Sequence, residues 1–188
     1  MMNPMLQNSK AHSGAAGTLA IAFSATALMI VASRSNAGQP DPIAVEMIGS
    51  ERTKFTDDVA IDIRLQPEGR AEQSLKLDEP SRVAVARITI QPGAVFPWHT
   101  HPGPVFAGVD EGELIYTYAD DCIDRPYPKG TMFVDPGGDN VHTARNPSAD
   151  GEAVVIATVL NAPEQGKLTL PVDRQSGQQL DEKCDIHR

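Results

Sequence analysis

The sequence predicts an all-β chain, folded as a sandwich or barrel of short strands. Three observations carry that reading. Apolar runs either alternate with polar residues or are rich in β-branched residues, hard Gly/Pro turns separate them, and no amphipathic helical stretch of useful length follows residue 37. The 15 Gly and 15 Pro among 188 residues favour turns over long helices. A chain of that length, 40% hydrophobic and 22% charged, suits one globular domain with a real core.

The elements follow in chain order. Residues 41–50 carry a weak edge-strand pattern. Val59, Ile61, Ile63 and Leu65 alternate with polar residues, the period of a half-buried strand. Residues 83–90 (VAVARITI) are β-branched and stop at Pro92-Gly93. Residues 105–109 and 114–118 flank Glu111-Gly112-Glu113, which reads as a hairpin turn. Residues 131–134 run into Pro136-Gly137-Gly138. Residues 153–160 (AVVIATVL) are continuously apolar, as expected of a buried strand, and Pro163 closes the run. There is no internal repeat.

Residues 1–37 differ from the rest. They contain no acidic residue, and Lys10 and Arg34 are their only Lys or Arg. A small-residue apolar run over 15–32 ends in Ser35-Asn36-Ala37, the layout of a secretory signal peptide. The run is nearly long enough to span a bilayer, so a retained anchor is the competing reading. Its Ala, Ser, Thr and Gly content is weakly hydrophobic for that role, and cleavage after Ala37 is expected. The expected organisation is a leader over 1–37 and a single domain over 38–188, periplasmic or secreted, with no membrane association after cleavage. The net charge of −9, with no Lys/Arg cluster, excludes nucleic acid as the leading partner.

Export bears on the two cysteines. Cys122 lies in a polar, loop-like stretch and Cys184 lies four residues from the end of the sequence. In an oxidising compartment such a pair is expected to form one disulfide, which here would pin a polar tail over 168–188. A metal-bound pair or a reactive thiol has neither a Cys-x-x-Cys spacing nor a nearby basic helix start to support it.

His99 and His101 are one residue apart, so on a strand both imidazoles project from one face. Two same-face imidazoles suit a first-row divalent metal. Their context sharpens the reading. Gly93, five residues, His99-Thr100-His101 and then Gly112 resemble the first motif of the cupin superfamily. Gly130, five residues, Pro136, and then His142 and Asn146 resemble the second. These motifs span 93–146, and flanking strands extend the resemblance from about residue 80 to about residue 162. The wording around both motifs is also similar to small exported bacterial proteins of the cupin-2 type.

The resemblance implies a double-stranded β-helix, a jelly-roll barrel with an N-terminal strand extension and with histidines pointing inward. It also implies one divalent metal ion (Fe, Mn, Zn or Ni) held by His99, His101 and His142. Two departures stand out. The glutamate expected four residues after His101 is Val105. Glu111 shares the inward parity, but at about 3.3 Å per strand residue it lies about 20 Å away. The interval from Pro136 to His142 has one residue more than the motif's usual spacing, which makes Asp139 a candidate fourth ligand and Asp139 or Asn140 a candidate bulge.

The remaining candidates are weaker. Trp98 has the opposite parity to His99 and is expected to pack. Phe96, Tyr116 and Tyr118 are expected in the core or at its rim, and Arg145 in a salt bridge. Val105, Ala107 and Val109 share the parity of the His pair and make one pocket wall apolar. His12 and His187 lie in the leader and tail. No nucleophile elbow, phosphate loop or Cys–His arrangement is present. Two function classes stay open: a metal-dependent oxygenase-type enzyme on a small molecule, and a non-catalytic small-ligand or metal-binding module. Exposed sheet edges make a homodimer the expected self-association.

Overall fold

The computed structural model describes residues 40–188 apart from Glu79 and Ser81. The expected leader over 1–37 lies outside the described residues. Two antiparallel sheets face each other, and a further two-stranded hairpin pairs only with itself. The N-terminal elements are β1 (Ile43–Met47), β2 (Thr53–Lys54), β3 (Ile61–Leu65), β4 (Gln73–Leu77) and β5 (Arg82–Ile90). The motif region holds β6 (His99–Thr100), β7 (Val105–Glu111), β8 (Glu113–Tyr118), β9 (Asp124–Pro128), β10 (Met132–Asp135) and β11 (His142–Arg145). Then come β12 (Ala153–Val159), β13 (Leu170–Pro171) and a helix, α1 (Arg174–Cys184).

One sheet runs β1-β5-β12-β7-β10, with β2 also on β5; the second runs β13-β6-β11-β8-β9; β3 and β4 pair alone. This is the expected all-β jelly roll. The apolar run of β12 is central, paired with β5 on one side and β7 on the other, and Ala153, Val154, Val155, Ala157 and Val159 are all buried. Burying such side chains contributes about 1.5–3 kcal/mol for each large one. The weak pattern over 41–50 does form an edge strand, β1. Two prolines in β9 are tolerated because it too is an edge, where ladder donors can be spared.

Two expectations are overturned. Glu111-Gly112-Glu113 is not a hairpin turn, because β7 and β8 lie in different sheets. The chain bends from one sheet into the other there. Gly112 takes a φ of +70°, and a Cβ would come 2.6 Å from the Glu152 carbonyl oxygen. Only glycine fits that corner.

The tail, expected to lack helix, forms α1. Asp173 caps it, its side chain accepting from the backbone N–H of Gln175 and Ser176, each at 3.0 Å. The helix buries no residue of its own, so it has no apolar stripe to read. It is held instead by polar contacts and by the Cys122–Cys184 disulfide. Trp98 Nε1 donates to Asp181 Oδ1 at 2.8 Å, and Arg188 Nε donates to the same carboxylate at 2.9 Å. Trp98, only 1% exposed, is packed beneath the helix as its parity predicted.

Candidate metal centre

His99 sits on β6 and stands directly across from His142 on β11 in the antiparallel register. His101 follows β6 by one residue beyond Thr100. The three imidazoles therefore meet inside the barrel, with one ligand atom from each within 4.8 Å of the others. The two most deeply buried rings, His99 and His142, have centroids 4.2 Å apart. Tyr116 stacks on His142 at 4.6 Å and 20°.

Each ring is oriented by a backbone carbonyl. Nδ1 of His99 lies 2.6 Å from the Pro97 oxygen, Nδ1 of His101 2.7 Å from that of Leu168, and Nδ1 of His142 3.1 Å from that of Asn140. A carbonyl only accepts, so each Nδ1 carries the proton and donates. In the neutral rings every Nε2 is then a lone pair, and the Nε2 atoms of His142 and His99 face each other at 3.1 Å. Two lone pairs so close repel unless a cation lies between or beside them. Burial first, and the neighbouring imidazoles second, push the pKa of His99 down to about 3. Burial, with His101 nearby, pushes His142 down to about 3 as well. Both are neutral at physiological pH, the form that binds metal.

The carboxylate candidates fall out differently. Asp139 is exposed, and its backbone oxygen accepts from Val141 N in a turn at 3.0 Å. That turn, closed also by Asn140 N to the Gly137 oxygen at 3.1 Å, absorbs the extra residue before His142. Asp139 is therefore not at the site. Glu111 lies at the exposed end of β7, near Arg87. The carboxylate beside the histidines is Asp135, which the motif spacing did not flag.

Asp135 is 2% exposed and is the last residue of β10. Oδ1 accepts from Gly137 N at 2.7 Å. Oδ2 lies 3.2 Å from His142 Nε2 and 3.5 Å from His101 Nε2, and the nearby Tyr116 hydroxyl does not close a hydrogen bond of full geometry to it. Burial raises the pKa of its carboxyl. The turn after it is pressed against the His101 loop: Gly138 N donates to the His101 oxygen at 2.9 Å, and a Cβ on Gly137 would come 2.3 Å from the Gly103 oxygen. The one signal for Asp135 in the sequence was an acidic residue closing a strand run directly before Pro136-Gly137.

The histidines open on a cavity of about 120 Å³ between the two sheets. Phe96, Val105, Leu114, Phe133, Ile88 and Ala157 form much of its wall. The apolar wall expected from Val105 and Ala107 is present, while Val109 packs in the core behind it. The Tyr116 hydroxyl is buried near Asp135 and Tyr118 without closing a hydrogen bond of full geometry, and burial holds its pKa well above the usual phenol range. Tyr118 carries Arg70 over its ring at 4.1 Å, and Arg145 pairs with Asp124.

Three imidazoles of an antiparallel jelly roll thus converge on an interior, apolar cavity. Residues 86–159 match the family model described as Cupin domain, so this stretch of the chain is similar to that family. No curated protein sequence matches the chain. Solved structures with a similar course include the polyketide cyclase RemF from Streptomyces resistomycificus, 13% identical, TM-score 0.43, covering 54% of this chain and 68% of that one. A cupin-like protein from Thermotoga maritima is 24% identical, TM-score 0.41, covering 52% and 72%. A cupin-2 domain containing protein from Shewanella frigidimarina is 22% identical, TM-score 0.35, covering 42% and 70%. None of these likenesses carries a reading of activity.

Proposed function

We propose that the chain holds one divalent first-row metal ion through Nε2 of His99, His101 and His142, and seats a small, largely apolar molecule against it. One observation carries the reading: three Nε2 lone pairs converge while every Nδ1 donor is spent on a backbone carbonyl. A bound ion would supply Lewis acidity, open coordination positions and, if iron, redox chemistry. The protein's own part is to fix the three rings, exclude bulk water with apolar walls, and keep His99 and His142 neutral. A cavity of about 120 Å³ limits the ligand to roughly the size of a small ring, since about 150 Å³ of apolar cavity accommodates benzene.

Two uses of such a centre are separated by experiment. Elemental analysis of protein isolated from its native compartment should find one first-row ion per chain, and metal-free protein that also takes up none on titration contradicts the reading. Iron that consumes O₂ when a small molecule is added makes the chain an oxygenase-type enzyme. A redox-inert ion without such turnover makes it a binding module. The Cys122–Cys184 disulfide supports an oxidising, exported setting, with the leader over 1–37 removed. Intact mass of the native protein should then begin at Gly38.

A further inference from the structure

We infer that Asp135 supplies the carboxylate of this metal centre, entering from β10 at the place where β7 carries Val105. The inference rests on the three-histidine reading above and deepens it.

In the antiparallel pairing of β10 with β7, Asp135 and Val105 are direct Cα partners. Opposed residues of such a pair put their side chains on the same face, about 4.5–5.5 Å apart at Cβ. A carboxylate on either strand therefore reaches one neighbourhood. Val105 and Asp135 both line the cavity shared with the three histidines.

Three of the donor separations fit one ion. Nitrogen and oxygen ligands bind a divalent ion at about 2.0–2.2 Å, so neighbouring donors around it stand about 3.0–3.5 Å apart at octahedral to tetrahedral angles. The observed separations are 3.1 Å for His142 to His99, 3.2 Å for His142 to Asp135 and 3.5 Å for His101 to Asp135. With neutral imidazoles and an ionised carboxylate, a hydrogen bond does not explain the last two, because both imidazoles already commit their Nδ1 proton to a carbonyl. Asp135 Oδ2 faces lone pairs.

The carboxylate is also expensive without a cation. It is 2% exposed, and Oδ2 closes no hydrogen bond of full geometry. Oδ1 is held by Gly137 N, which leaves Oδ2 as the free, fixed donor. A structural cap on the turn would need only Oδ1, which an asparagine could provide.

The test is calorimetric titration of metal-stripped full chain with Zn²⁺ and Co²⁺, comparing wild type, Asp135→Asn and the exposed control Asp139→Asn. Asp135→Asn is expected to weaken binding at least about tenfold, a floor set by losses at outer-shell partners. It should also alter the visible spectrum of bound Co²⁺, while Asp139→Asn matches wild type on both. Metal-free Asp135→Asn should be at least as heat-stable as metal-free wild type, since a buried charge is removed and the Gly137 acceptor is kept. Unchanged affinity and an unchanged cobalt spectrum in Asp135→Asn would overturn the inference. If Asp135→Asn does not fold, Asp135→Glu carries the test, because a displaced ligand must shift the cobalt spectrum, and an identical spectrum overturns the inference. Wild type that binds neither ion would defeat the three-histidine reading itself, a separate outcome.

Discussion

His142 Nε2 faces His99 Nε2 at 3.1 Å across the β6–β11 register, with neither nitrogen carrying a proton when both rings are neutral. That contact is unfavourable in an empty barrel. Much of the behaviour expected of the protein follows from it.

Removing one of three converging ligands should weaken metal binding far more than removing an isolated surface histidine. His101→Ala is expected to lose bound metal by at least about a hundredfold in affinity, above the range found for outer-shell changes. His187→Ala, whose side chain is 88% exposed, should keep it. Equilibrium dialysis against Zn²⁺ measures both. Equal retention by the two variants would refute the assignment.

Stability of the metal-free chain should fall on acidification. The folded pKa values of His99 and His142 lie at about 3, below the unfolded value near 6.5. Below that unfolded value the unfolded chain binds more protons, so the two groups' contribution is intact above about pH 6.5 and is lost as pH falls toward about 3. Each histidine adds a slope of up to about 1.4 kcal/mol per pH unit. Asp135, whose pKa is raised, acts in the opposite sense at the acid end, but one carboxyl opposes two imidazoles. Urea unfolding at pH 7.5 and pH 5 should show the lower stability at pH 5. Equal midpoints would contradict the buried, neutral state of the pair.

The disulfide joins residues 62 apart in sequence. On the chain-entropy account, its loss should cost about 4 kcal/mol. Cys122→Ser with Cys184→Ser should lower the melting temperature and loosen α1 from Trp98. Tryptophan fluorescence, read on the chain's single Trp, should shift to longer wavelength. No change in emission would mean that polar contacts alone hold the helix down.

Where side-chain chemistry repeats with a period, the sequence was readable. The β-branched run of β5 and the apolar run of β12 mark a sheet centre, and the His-x-His pair with His142 marks the cavity. The helix α1 was not readable, because it buries no residue and depends on Asp173, a disulfide and Asp181 contacts made across the fold. The Gly112 corner looked like a hairpin because local turn chemistry does not say whether the flanking strands pair with each other. Asp135 was invisible for a related reason. Its role arises from register between β10 and β7, and spacing along one strand could only report that position 105 lacks a carboxylate.

The most direct measurement is calorimetric titration of the metal-stripped wild-type chain with a divalent first-row ion at micromolar concentration. The arrangement of His99, His101 and His142 predicts one ion per chain, bound with a Kd in the micromolar range or tighter. No binding at those concentrations by folded protein would contradict the metal centre, and with it both functions proposed for the barrel.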